Sequence, residues 1–84
     1  MIRIRHHEDH GYFIEIPDID FIYDSEIAEF LNIDYKDYQI KAITYGAHIS
    51  DFDDEFYFKN KEDAKDFLEY LIPYMVARKL SDAN

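Results

Sequence analysis

Residues 1–5 alternate, with Ile2 and Ile4 set against Arg3 and Arg5. A period of two predicts a half-buried strand. The run 6–11 (His-His-Glu-Asp-His-Gly) is polar and ends in glycine, which predicts a turn. Alternation resumes over 12–16, with Tyr12, Ile14 and Ile16 on one side and Phe13 and Glu15 on the other. Together these segments predict a β-hairpin. Pro17 ends its second strand, because proline has no N–H to give to a ladder.

Residues 18–23 mix Ile19, Phe21 and Ile22 with Asp18 and Asp20, and read as a loop that turns its aromatics inward. The spacing then becomes helical. Asp24 or Ser25 is the expected cap, Glu26 suits the first turn, and Ile27, Phe30 and Leu31 have helical spacing. Asn32 can close this helix, since asparagine tolerates a left-handed backbone. A second helix is expected over 35–45, with Tyr38, Ala42 and Tyr45 on one stripe, Ile40 and Ile43 beside it, and Gly46 as its end. Residues 51–55 read as an acidic loop. Residues 55–59 read as a strand with Phe56 and Phe58 opposite Tyr57. Asn60 caps the last helix, with Asp63 three residues on in a variant of the capping box. Its apolar stripe is Ala64, Phe67, Leu68, Leu71 and Met75, continued by Val76 and Leu80. Pro73 falls inside it, so a kink or a restart is expected there. The element order is β-β-α-α-β-α. The expected fold is α+β, a three-stranded antiparallel sheet with helices on one face, in a single domain over residues 1–84.

Charge changes this picture. The chain carries 19 acidic and 9 basic residues, a net of −10 with histidines neutral. Residues 6–55 hold fourteen carboxylates against Lys36 and Lys41, net −12, whereas residues 56–84 are balanced. An excess of this sign disfavours direct nucleic-acid binding, which depends on clustered Lys and Arg neutralising phosphates. Solubility alone accounts for net charge away from zero. Its concentration in one part of the chain also fits a negative surface that meets a basic partner. The absence of cysteine excludes disulfides and thiolate metal sites and favours a cytoplasmic location. No apolar run approaches a membrane span.

Candidate chemistry is sparse. Around His6, His7 and His10 the spacing is one residue short of the helical zinc motif His-Glu-x-x-His. His6 and His10 could still bind a metal from a hairpin tip, beside the plainer reading of an exposed polar turn. Asp51, Asp53, Glu55 and Glu62 match four positions of a calcium loop, but Phe56 stands where the sharp turn requires glycine. Residues 24–43 have a helix-turn-helix flavour, yet Asp34 and Asp37 on the second helix would repel DNA. With two glycines and no cysteine, neither a phosphate loop nor a thiol nucleophile is available, and no serine lies in a nucleophile motif. No enzyme, cofactor or metal is therefore expected.

Fifteen aromatics are more than so small a core needs. Tyrosine beside carboxylate makes a good contact surface. The expected partner-binding residues are Glu26, Glu29, Asp34, Tyr35, Asp37, Tyr38, Asp51, Asp53, Asp54 and Glu55, with Tyr35, Tyr38, Asp34 and Asp37 at the centre. Phe13 and Tyr57, on the uncovered sheet face, offer a homodimer surface.

Residues 55–64 (Glu-Phe-Tyr-Phe-Lys-Asn-Lys-Glu-Asp-Ala), then Phe67-Leu-Glu-Tyr-Leu-Ile-Pro-Tyr through Lys79 and Leu80, resemble the C-terminal strand and helix of small acidic uncharacterised proteins encoded by phages and prophages of Gram-positive bacteria. Residues 27–31 and the hairpin fit more loosely. The resemblance carries over no functional residue. It implies a context, the host cytoplasm, in which small acidic phage proteins block host enzymes and some anti-restriction and anti-CRISPR proteins mimic DNA. The function expected is thus a non-enzymatic module that occupies a basic, nucleic-acid-binding surface of a protein partner. The alternative is a self-associating assembly module.

Overall fold

The computed structural model describes residues 3–15, 23–49 and 55–83. Within them the chain forms β1 (Arg3–His7), β2 (Gly11–Glu15), α1 (Asp24–Phe30), α2 (Tyr35–Thr44), β3 (Ala47–Ile49), β4 (Phe56–Phe58) and α3 (Lys61–Ala83). The fold is α+β, as expected, but the antiparallel sheet has four strands among the described residues, in the order β1-β2-β4-β3. The additional strand is Ala47-His48-Ile49. Three residues are too few to establish a period of two, and this segment follows directly on a helix-ending glycine. It pairs with β4 through Ala47↔Phe58, His48↔Tyr57 and Ile49↔Phe56.

The hairpin forms with Arg3 opposite Glu15 and His7 opposite Gly11, so β1 runs two residues further than its apolar alternation. Gly11 has φ +111°, and a Cβ there would lie 2.4 Å from the carbonyl oxygen of Phe58. Glycine therefore lets β4 approach the hairpin at this point, next to the Tyr12↔Phe58 pair.

Strand alternation sends Ile4, Tyr12, Ile14, Phe56, Phe58 and Ala47 to one side of the sheet, where the helices pack. Phe67 of α3 sits at the centre of that core. Its ring lies 5.2 Å from Tyr38, 5.6 Å from Phe58 and 5.9 Å from Tyr45. Ile27, Ala28 and Leu31 of α1, Tyr38 and Ala42 of α2, and Ala64 and Leu71 of α3 complete it. Burying each large side chain contributes about 1.5–3 kcal/mol, so this single cluster carries the fold.

The helix ends follow the sequence at two places. Asn32 has φ 60°, and Ile33 N–H reaches the Ala28 carbonyl at 2.9 Å, which satisfies the last turn of α1. Asn60 accepts from Asp63 N–H at 2.9 Å and starts α3. The structure corrects two other expectations. Tyr23, not Asp24 or Ser25, is the N-cap of α1, with no side-chain bond. α3 continues through Pro73 to Ala83 as one helix, without a restart. Of the aromatic loop expected over residues 18–23, residues 18–22 lie outside the described residues.

Candidate functional site

Two sets of carboxylates occupy the helical side, and they behave differently. Asp24 opens α1 but is 2% exposed. Its Oδ1 accepts from the Tyr38 hydroxyl at 2.5 Å, and its Oδ2 accepts from Phe56 N–H at 2.7 Å. One side chain thus ties α1 to α2 and to the central strand β4. Burial, then the charge and hydrogen bond of Asp24, push the Tyr38 hydroxyl well above the usual tyrosine range. Tyr38 is fully buried. It belongs to the core, not to a contact surface, which corrects its place among the partner-binding residues. Its stripe with Ala42 is what drew it inward.

The second set is outside. Glu29, Asp34 and Asp37 are exposed and Glu26 is half-buried. Glu29 at the end of α1 and Asp34 at the start of α2 border an open cleft of about 500 Å³, which Ser25, Asn32, Ile33 and Tyr35 also line. The tight α1–α2 turn at Asn32 creates this arrangement by bringing the end of one helix against the start of the next. Asp37 follows Asp34 one turn along α2. Among the described residues, ion pairs join Arg3 and Arg5 to Glu15, and none engages Glu26, Glu29, Asp34 or Asp37. Lys41, on the same helix, places its ammonium 5.2 Å from the Tyr70 ring on α3.

Two apolar residues join this surface. Ile40 and Ile43 are 57% and 53% exposed on the outer side of α2. Sequence spacing sets them beside the buried stripe. The helix instead faces Tyr38 and Ala42 inward, which turns Ile40 and Ile43 toward solvent, with Ile40 about one turn beyond Asp37. The available signal was that Tyr38, Ala42 and Tyr45 already fill one face, leaving Ile40 and Ile43 off it.

Glu55 does not join this surface. Glu55 is half-buried and accepts from the Tyr57 hydroxyl, on the opposite side of the sheet. Asp51, Asp53 and Asp54, and with them the calcium-loop frame, lie outside the described residues. The hairpin-tip pair His6 and His10 is also not assembled. The His6 ring packs on Tyr12 at 4.6 Å, whereas His10 packs on His7 at 4.7 Å and on Tyr57 at 5.0 Å. β1 alternation directs His6 and His7 to opposite sides. Among the described residues, no three or more histidine or carboxylate side chains are grouped so as to hold a metal ion. Nor is any described helix long and apolar enough to cross a membrane.

No protein-family model, no curated protein and no solved structure matches this chain.

Proposed function

We propose that this chain is a non-enzymatic binding module that occupies the basic surface of a protein partner through α1 and α2. The observation that carries this reading is the exposed row of Glu29, Asp34 and Asp37, free of ion pairs among the described residues and flanked by Ile40 and Ile43. Exposed carboxylates outside any described ion pair steer a cationic groove toward them. The adjacent isoleucines supply apolar anchors that lose water on contact. The cleft between Glu29 and Asp34 suits a guanidinium or ammonium group from the partner. Such a surface competes with nucleic acid for the same groove, which is the action of a DNA-mimic inhibitor of the anti-restriction or anti-CRISPR kind.

The test is capture from bacterial lysate by the immobilised chain at about 50 mM and about 500 mM salt, followed by competition with duplex DNA. The expected partner is a nucleic-acid-binding protein held at low salt, released at high salt and displaced by DNA. It is lost from a Glu29→Gln/Asp34→Asn/Asp37→Asn chain. Capture indifferent to that triple change refutes the reading. The alternative, a self-associating assembly module, is favoured by a separate observation on the open side of the sheet.

A further inference from the structure

The side of the sheet that the helices leave open is built from different chemistry. Alternation directs Arg3, Arg5 and His7 of β1, Phe13 and Glu15 of β2, His48 of β3 and Tyr57 of β4 to it. Tyr57 lies outside the core cluster yet is only 4% exposed. The rings of His10, Phe13, His7 and His48 surround it, with centroids 5.0, 5.7, 6.0 and 6.1 Å away. Arg3 and Arg5 both reach Glu15, at 2.8 and 3.2 Å, and Glu55 accepts from Tyr57. Two guanidiniums thus stand with two carboxylates. Among the described residues of these strands and Glu55, the two signs are equal in number at neutral pH, in a chain whose net charge is −10.

We propose that two copies of the chain pair through this face about a two-fold axis. A two-fold interface uses the same patch twice, so the patch must complement itself. A face whose described side chains carry both signs can set one against the other. The α1–α2 surface, where the exposed Glu29, Asp34 and Asp37 outnumber the exposed Lys36, would meet itself with net repulsion. Arg3 and Arg5 keep about half of their side-chain surface exposed while bound to Glu15, so guanidinium donors remain for the second copy. Sheets stacked face to face sit about 10 Å apart. That arrangement puts both acidic helical layers on the outside, at the greatest separation the fold allows. A second copy is therefore favoured over other occupants. A basic partner is drawn to the helical flank, and an acidic one is repelled by the rest of the molecule.

This interface answers to salt in the opposite sense to partner capture, because screening relieves the mutual repulsion of two anionic copies. Sedimentation equilibrium of the full chain at about pH 8, up to about 200 µM, tests it at about 50 mM and about 500 mM NaCl. The expected result is a dimer that tightens about tenfold at the higher salt. His48→Glu adds a charge at an exposed position of this face and is expected to weaken the dimer at least about tenfold. Ile40→Glu, on the helical flank, is expected to leave it unchanged. A monomer throughout, a dimer that survives His48→Glu, or one lost with Ile40→Glu overturns the proposal. None of these results bears on partner capture, which is read from the triple amide chain.

Discussion

Tyr38 and Tyr57 are both almost completely buried, yet they lie on opposite sides of one sheet and owe their burial to different things. Tyr38 is sealed by three helices, with Phe56 at 5.7 Å and Phe67 at 5.2 Å, and its hydroxyl is held by a carboxylate that is itself buried. Tyr57 is roofed by imidazoles and one phenyl ring, and its hydroxyl goes to the half-buried Glu55. On the helical side, polar groups range from Asp24, locked into the fold, to Asp37, which is exposed. On the open side, polar and aromatic groups share one layer, from which Arg3, Arg5, His7 and His48 remain exposed. The difference separates residues that hold the fold from residues available for contact. Each prediction below tests that division.

The largest effect belongs to Asp24→Ala. It leaves Phe56 N–H and the Tyr38 hydroxyl without this acceptor in a dry site, at about 1–3 kcal/mol for each group. A loss of about 3 kcal/mol is expected in urea unfolding, a large share of the 5–15 kcal/mol typical of domains. Asp24→Asn keeps an acceptor for Phe56 N–H and an amide to meet Tyr38, and is expected to lose about half as much. Equal losses from the two substitutions would show that the charge of Asp24, not its bonding, ties the elements together.

Tyr38 gives the next effect, and it depends on pH. Its hydroxyl ionises at higher pH in the folded protein than in the unfolded chain. The stabilisation is therefore fully present below about pH 10, the unfolded tyrosine value, and is lost as pH rises toward the folded value. Tyr70, pushed up to about 12 mainly by its hydrogen bond to Tyr74 and then by burial, acts in the same direction. Comparing the wild type with Tyr38→Phe isolates the buried group. The variant is expected to be less stable by about 1 kcal/mol at neutral pH, with a shallower decline above about pH 10. Parallel declines would place the alkaline sensitivity elsewhere.

On the open side, Glu15→Gln removes the carboxylate shared by Arg3 and Arg5. Glu15 is buried, but both arginine side chains are about half exposed, so water takes over much of the lost interaction. The expected loss is about 1 kcal/mol, smaller than for Asp24→Ala. A loss matching that of Asp24→Ala would mean that the open side is as integral to the fold as the core.

Much of this division was legible in the sequence, and the rest failed for identifiable reasons. Alternation and Gly11 gave the hairpin and its two faces, and Phe56, Tyr57 and Phe58 were assigned to the sides they occupy. Asn32 and Asn60 act as the helix ends they resemble, because those interactions are local. Asp24 reads as a cap from its position at a helix start, because the partners it bonds instead lie 14 and 32 residues away. Ile40 and Ile43 read as neighbours of the buried stripe because hydrophobicity does not say which apolar residues a crowded helix face will leave out. Acidic clustering was visible as composition, but composition cannot sort carboxylates between two sides of a sheet. Only the fold puts Asp34 and Glu55 on different sides.

The smallest effect on stability is expected from the change with the largest effect on partner capture. In Glu29→Gln/Asp34→Asn/Asp37→Asn, three exposed carboxylates outside any described ion pair become neutral amides of nearly the same shape. Asp34 is the N-cap of α2 and Asp37 lies in its first turn, where negative charge is favourable by a few tenths of a kcal/mol each. Glu29 sits near the C-terminal end of α1, where its charge is unfavourable by a similar amount. Removing three charges from a chain of −10 also lowers self-repulsion in the folded state. These contributions oppose one another, so the net change in urea unfolding is expected within about 0.5 kcal/mol. Affinity for a basic partner should nevertheless fall by at least about tenfold at low salt, and the difference should shrink as salt rises. A triple variant that unfolds easily would move these carboxylates into the same class as Asp24. A stable one that no longer binds keeps fold and contact on separate residues of the same two helices.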